Sequence, residues 1–164
     1  MLLIIDNRIP NISCLLKNLE STVTPVIIDF WSETFDSLAS KIPEQPYTQL
    51  GILQANMNPD TFCLFDSFGP SVLKDVETLD PLLDSWTSFH LFIELCVSRL
   101  EVQEIVLRGY DPKDWNYISR QWNILISMDL DSRIYKTWNV ESNVSPLGKR
   151  VPPQRTIMYR LLHN

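Results

Sequence analysis

At 164 residues and 19.1 kDa, with 45% of residues apolar, the chain is the right size for one compact domain with a genuine core. A formal charge of -6 and a pI near 4.8 exclude nucleic-acid binding through the whole surface, because phosphate contacts need clustered Lys and Arg. No apolar run approaches the length of a membrane span, and Leu2-Leu3-Ile4-Ile5, closed by Asp6, is too short for a secretory core, so an intracellular, soluble or peripheral protein is expected.

The first element is a strand over Leu2 to Asp6, a continuous apolar run of the kind covered on both faces in a parallel sheet, bounded by Asn7 and Pro10. Asn11 to Leu19 reads as a helix with Ile12, Leu15, Leu16 and Leu19 on one stripe. Pro25 to Asp29 is the second strand. Phe35, Leu38, Ala39 and Ile42 give helical spacing between Ser32 and Ile42, and Pro43 and Pro46 stop it. Tyr47 to Ala55 is the third strand, and Thr61 to Phe65 with Ser71 to Val76 suit a small hairpin around Phe68-Gly69-Pro70.

Asp80-Pro81 announces a long helix, because a carboxylate caps free N–H groups and proline at the first helical position sacrifices no bond. Its buried face is Leu82, Leu83, Trp86, Phe89, Ile93, Cys96, Val97 and Leu100. Glu104 to Gly109 is the fourth strand, Asp111-Pro112 opens a further helix with Trp115, Ile118 and Trp122 inward, and Asn123 to Met128 is the fifth strand. Strands separated by helical crossovers predict a parallel α/β sheet with right-handed connections.

Beyond Val140 the chain changes character. Ser145-Pro146, Gly148 and Pro152-Pro153 break regular structure, while Ile157, Met158, Tyr159, Leu161 and Leu162 restore apolar side chains. From Ser142 to Asn164 there is no Asp or Glu, and Lys149, Arg150, Arg155 and Arg160 give +4, which leaves -6 minus 4, or -10, for the rest. An acidic body (1–143) therefore carries an extended basic C-terminal arm (144–164). Its cations could touch nucleic acid with modest, salt-sensitive affinity. The stronger expectation is a protein partner, with the charges meeting the acidic face of another subunit and Met158, Tyr159, Leu161 and Leu162 as desolvated anchors.

In an open parallel sheet the functional crevice lies beyond the carboxyl ends of the strands. The third and fourth strand patterns end in Gln54-Ala55-Asn56 and Arg108-Gly109-Tyr110, none of them a usual nucleophile or general base. Cys14, Cys63 and Cys96 are an odd number without C-x-x-C spacing, so neither a disulfide framework nor a zinc site is indicated. Cys14 and Cys96 lie on helical stripes and read as small core hydrophobes, and His90 as a helix-surface or partner-facing residue. Asp129 and Asp131, past the fifth strand, suit either a solvated turn or a cation or acid/base pair. No glycine-rich phosphate loop is present, so no cofactor is expected. Trp31 and Trp138, next to strand ends, are candidates for a contact surface.

With these elements placed, the chain resembles a caspase-like domain family of unknown function, found in large repeat-bearing bacterial proteins and in large DNA viruses. The residues that carry the likeness are Ile4-Ile5-Asp6-Asn7-Arg8-Ile9-Pro10, Leu50-Gly51-Ile52, Val76-Glu77 with Asp80-Pro81, Trp86, and Ile105-Val106-Leu107 followed by Asp111-Pro112 and Trp115. The resemblance implies a flavodoxin-like three-layer sheet with helices on both faces. It also implies a Cys-His dyad, with His after the third strand and Cys after the fourth. Here those positions fall at about Ala55 and at Gly109 or Tyr110, which supply neither thiolate nor imidazole.

The expectation is a non-enzymatic structural or assembly protein, a minor capsid component of a large DNA virus by the resemblance, located in the virion or host cytoplasm. Its expected partners are other capsid or assembly subunits, bound through the arm. Two alternatives stay open: a cysteine peptidase with a dyad relocated among Cys63, His90 and His163, and a regulatory pseudo-enzyme that binds peptides.

Overall fold

In the computed structural model the described residues are 1–55, 64–65, 84–108 and 115–136. They form five parallel strands, β1 (Leu2–Asp6), β2 (Thr24–Ile28), β3 (Gln49–Leu53), β4 (Glu104–Val106) and β5 (Leu125–Ser127), in the order β2-β1-β3-β4-β5. This is the flavodoxin-like order, in which the chain reverses its direction of growth between β1 and β3. Helices α1 (Ile12–Lys17), α2 (Phe35–Lys41), α3 (Asp84–Ser98), α4 (Asn116–Trp122) and α5 (Leu130–Ile134) complete an α/β fold with helices on both faces.

The alternation of β1 divides the core in two. Leu2 and Ile4 face a cluster with Leu38 of α2, Phe89, Phe92, Ile93 and Cys96 of α3, and Ile118 of α4. Leu3 and Ile5 face the opposite cluster with Leu15 of α1 and Leu130 and Ile134 of α5. All four aliphatic side chains of β1 are fully buried, and each such burial contributes about 1.5–3 kcal/mol. The apolar run predicts this strand residue for residue.

The strands and the helices α1, α2 and α4 match in kind; most are trimmed at their ends, and β2 is shifted to begin one residue earlier, at Thr24. Asn11 adopts the left-handed conformation with φ 56° that asparagine tolerates, so α1 begins after it. Thr34 caps α2 by accepting a hydrogen bond from Ser37 N at 3.2 Å, which starts that helix at Phe35, the first residue of its stripe, rather than at Ser32. Strand β4 ends at Val106, and the expected continuation to Gly109 lies partly outside the described residues.

Leu64 and Phe65, expected in a hairpin strand, form a turn in which Phe65 has φ 65°, incompatible with an extended chain. Both side chains are nevertheless buried, and Phe65 meets Phe92 edge-on at 5.9 Å. The remainder of that hairpin, the Asp80-Pro81 cap, the Trp86 side chain, Trp138 and the arm lie outside what is described.

Both sheet edges are blunted. Pro25 sits in edge strand β2 and offers no N–H to an added strand, while β5 is three residues long. Beside β5, Glu104 accepts hydrogen bonds from Gln49 Nε2 at 3.0 Å, from Ser127 Oγ and from the Arg133 guanidinium, which also donates to Asp129 at 3.0 Å. Burial disfavours the charged form of Glu104, but the bonds from Arg133 and Ser127 outweigh it and hold the carboxyl below its ordinary 4.5.

A group with a depressed folded pKa stabilises above its unfolded value and loses that contribution as the pH falls through the folded one. Glu104→Gln should therefore cost about 1–2 kcal/mol at neutral pH. The gap to wild type should close progressively below pH 4.5, as read by urea unfolding across pH.

Gly51 is the close-approach point between sheet and helix. A Cβ there would lie 2.8 Å from Leu3 Cδ1, 3.0 Å from Leu130 Cδ1 and 3.1 Å from Met1 Sδ. Leu3 and Leu130 are fully buried and have little room to yield. Gly51→Ala should cost about 1–3 kcal/mol by overpacking α5 against β3, read from the unfolding midpoint.

Candidate functional site

The crevice of this strand order opens where β1 and β3 diverge, at the carboxyl edge. Asp6 closes β1 there and is fully buried. Its Oδ1 accepts from Arg8 N and Arg8 Nε, both at 3.1 Å, and its Oδ2 accepts from the Arg8 guanidinium at 2.7 Å and from Ala55 N at 3.1 Å. A carboxylate has about four acceptor sites, and these four bonds occupy them. Asp6 thus clamps the end of β1 to the chain leaving β3.

Around this clamp, Asn7 N donates to Ile28 O at 2.8 Å, tying in the end of β2. Asp29 accepts from Trp31 N at 3.0 Å, and chiefly that bond, helped by Ser32 and the charge of Arg8, holds its carboxyl below the ordinary value against a small burial penalty. The Arg8 guanidinium lies over the Trp31 ring, 5.3 Å from its centroid. Trp31, expected at a contact surface, is half-buried at this rim.

Further along the edge, Arg108 Nε donates to Asp131 Oδ2 at 2.8 Å, with both side chains largely buried. Asp129 and Asp131 are not a shared site. Asp129 precedes α5 and Asp131 lies in its first turn, in a stretch expected as a turn after the fifth strand, and each is engaged by a different arginine. Among the described residues no group of three or more His, Cys, Asp or Glu is placed to hold a metal ion. Burial and the Asp131 charge push the Tyr135 hydroxyl pKa up.

Ala55 stands where the resemblance puts the catalytic histidine, with its amide bound to Asp6. Gly109 and Tyr110, the positions for the nucleophile, lie outside the described residues, as do Cys63 and His163. A scan of family models and searches of curated proteins and of solved structures find no match to this chain.

Cys96 is a core residue of α3, 1% exposed, and burial pushes its thiol far above the ordinary range, so it holds its proton. Cys14 is only half-buried on α1, where the stripe predicts full burial, and packs against the α1/α5 cluster. His90 is half-buried on α3, edge-on to Trp122 with ring centroids 4.8 Å apart. Cys14 and His90 therefore sit on opposite sides of the sheet and cannot form a dyad. Trp122 Nε1 donates to Glu94 at 2.8 Å, which lowers the Glu94 pKa and joins α4 to α3.

No helix among the described residues is long and apolar enough to cross a membrane. The Asp6–Arg8 clamp and the Arg108–Asp131 pair are the features that sequence reasoning misses. The available signal is a fully apolar strand ended by a carboxylate, with an arginine two residues on.

Proposed function

We propose that the chain is a non-enzymatic assembly protein, an α/β body of caspase-like ancestry that binds other protein subunits through its basic arm. The capsid of a large DNA virus is the setting the resemblance supplies. The observation that carries this reading is the saturation of Asp6. Among the described residues, the carboxylate fully buried at the end of β1 spends its acceptor capacity on Arg8 and Ala55 N, which suits a rigid scaffold and leaves no lone pair to take a substrate proton.

Two measurements test the proposal. Deleting Ser145 to Asn164 should leave a folded monomer where the intact chain associates; undiminished association of the truncated chain overturns the role of the arm. A thiol-reactive probe at neutral pH should find no unusually fast cysteine, with Cys96 unreactive until unfolding. Selective labelling of one cysteine, lost on replacing His90 or His163, favours a peptidase instead. The half-exposed Arg8–Trp31 pair at the crevice rim supports a second reading, a peptide-binding pseudo-enzyme, which recovery of one defined peptide motif in a pull-down would favour.

A further inference from the structure

The face formed by α2 and α3 carries a groove of about 100 Å³ lined by Ala39, Ile42, Leu95 and Leu100, with Glu44 and Arg99 paired across its rim at 2.9 Å. Pockets that take metabolites begin near ~300 Å³, so this one suits a single side chain of a protein segment. Leu91, one helical turn before Leu95, is 45% exposed and extends the apolar floor along α3.

The surroundings are acidic. Residues 33–44 and 88–101 contain Glu33, Asp36, Glu44, Glu94 and Glu101 against Lys41 and Arg99. The arm is complementary in both respects, with no Asp or Glu from Ser142 onward, four cationic side chains, and the apolar residues Ile157, Met158, Tyr159, Leu161 and Leu162 between and beyond them. The sheet edges, the other general route to association, are blunted by Pro25 and by the shortness of β5.

We propose that the α2/α3 groove is the docking site for residues 157–162 of the arm of a second copy of this chain, an assignment that rests on the arm-mediated assembly proposed above. The described body ends on the opposite side of the sheet, where Lys136 N donates to Asn18 O at 2.8 Å beside α1. The roughly 20 residues from there to Ile157 span up to about 70 Å when extended, ample for a neighbour's groove. Reaching its own groove requires the same length to pass around a sheet edge, at a loop-closure cost that grows with its length.

The test is sedimentation velocity on the full chain. Ala39→Phe fills the groove, Leu91→Glu charges its floor, and Glu44→Lys, on a rim side chain that is 78% exposed, repels the arm without touching the core. Each should raise the dissociation constant tenfold or more while circular dichroism shows an unchanged fold, and Leu161→Glu with Leu162→Glu in the arm should do the same. Mixing the full-length arm variant with a full-length groove variant should restore a one-to-one complex, because one intact arm then meets one intact groove.

Groove variants that associate like wild type while the arm variant does not overturn the groove and leave arm-mediated assembly standing. Association unchanged in every variant overturns both readings. A mixture that stays apart, or a wild-type chain that remains monomeric at 100 μM, overturns docking between copies.

Discussion

Trp115→Ala should remove about 3–5 kcal/mol of stability, the largest loss expected from any single truncation in the described core. Trp115 is fully buried, heads the largest side chains of the interior, and meets Phe89 of α3 edge-on with centroids 6.0 Å apart. It precedes α4 directly, so its ring joins the entrance of that helix to the long helix beside it. Alanine leaves a void beside Phe89, which is itself packed in the same buried cluster, and little can collapse into it. Guanidinium unfolding followed by circular dichroism checks the magnitude. A loss below 1 kcal/mol would mean that the indole is not a core element.

Asp6→Ala is expected to cost about 2–4 kcal/mol, although it removes only a small side chain. The loss has three parts. Ala55 N–H loses its acceptor at the divergence of β1 and β3, the Arg8 backbone N–H loses its own, and the Arg8 guanidinium loses both of its bonds to the carboxylate. Arg8 is 40% exposed and recovers part of its hydration, which keeps the cost below that of a fully buried ion pair. Asp6→Asn retains one acceptor oxygen and should lose roughly half as much.

The same pair of variants separates scaffold from chemistry. If Asp6 serves only as a clamp, any association through the arm should survive Asp6→Asn in proportion to the folded fraction. A binding defect in a fully folded Asp6→Asn chain would place the crevice itself in partner recognition.

A body with its described crevice groups locked and both sheet edges blunted offers its helical faces for contact. Leu91 and the α2/α3 groove supply exposed apolar surface on one such face, and the surrounding carboxylates favour a basic partner. Ile27 on β2 and Leu125 on β5 are exposed as well, at 38% and 68%, but stand singly on the edge strands. Isolated apolar residues of that kind are ordinary surface.

Local sequence specified the elements. The unbroken apolar run of β1 makes a strand buried on both faces. The helical stripes of α1 to α4, the stop at Pro43 and the alternation of strands with helices fix an α/β sheet, because side-chain periodicity encodes which face of an element seeks the core. Helix α5 is short, and its charged residues Asp131 and Arg133 interrupt the pattern, so only its packing against Gly51 and Leu3 gives it a place.

Periodicity does not encode which element lies next to which. The order β2-β1-β3-β4-β5 arises from crossovers and long-range burial, and that order alone brings Asp6 to Ala55, 49 residues away, and Arg108 to Asp131, 23 away. The sequence by itself settled that this chain builds a parallel α/β body with an acidic surface and a basic end. The tertiary structure decided that the carboxylate at its crevice is a four-bond clamp, because whether a buried charge is free or saturated depends on neighbours that only the fold assembles.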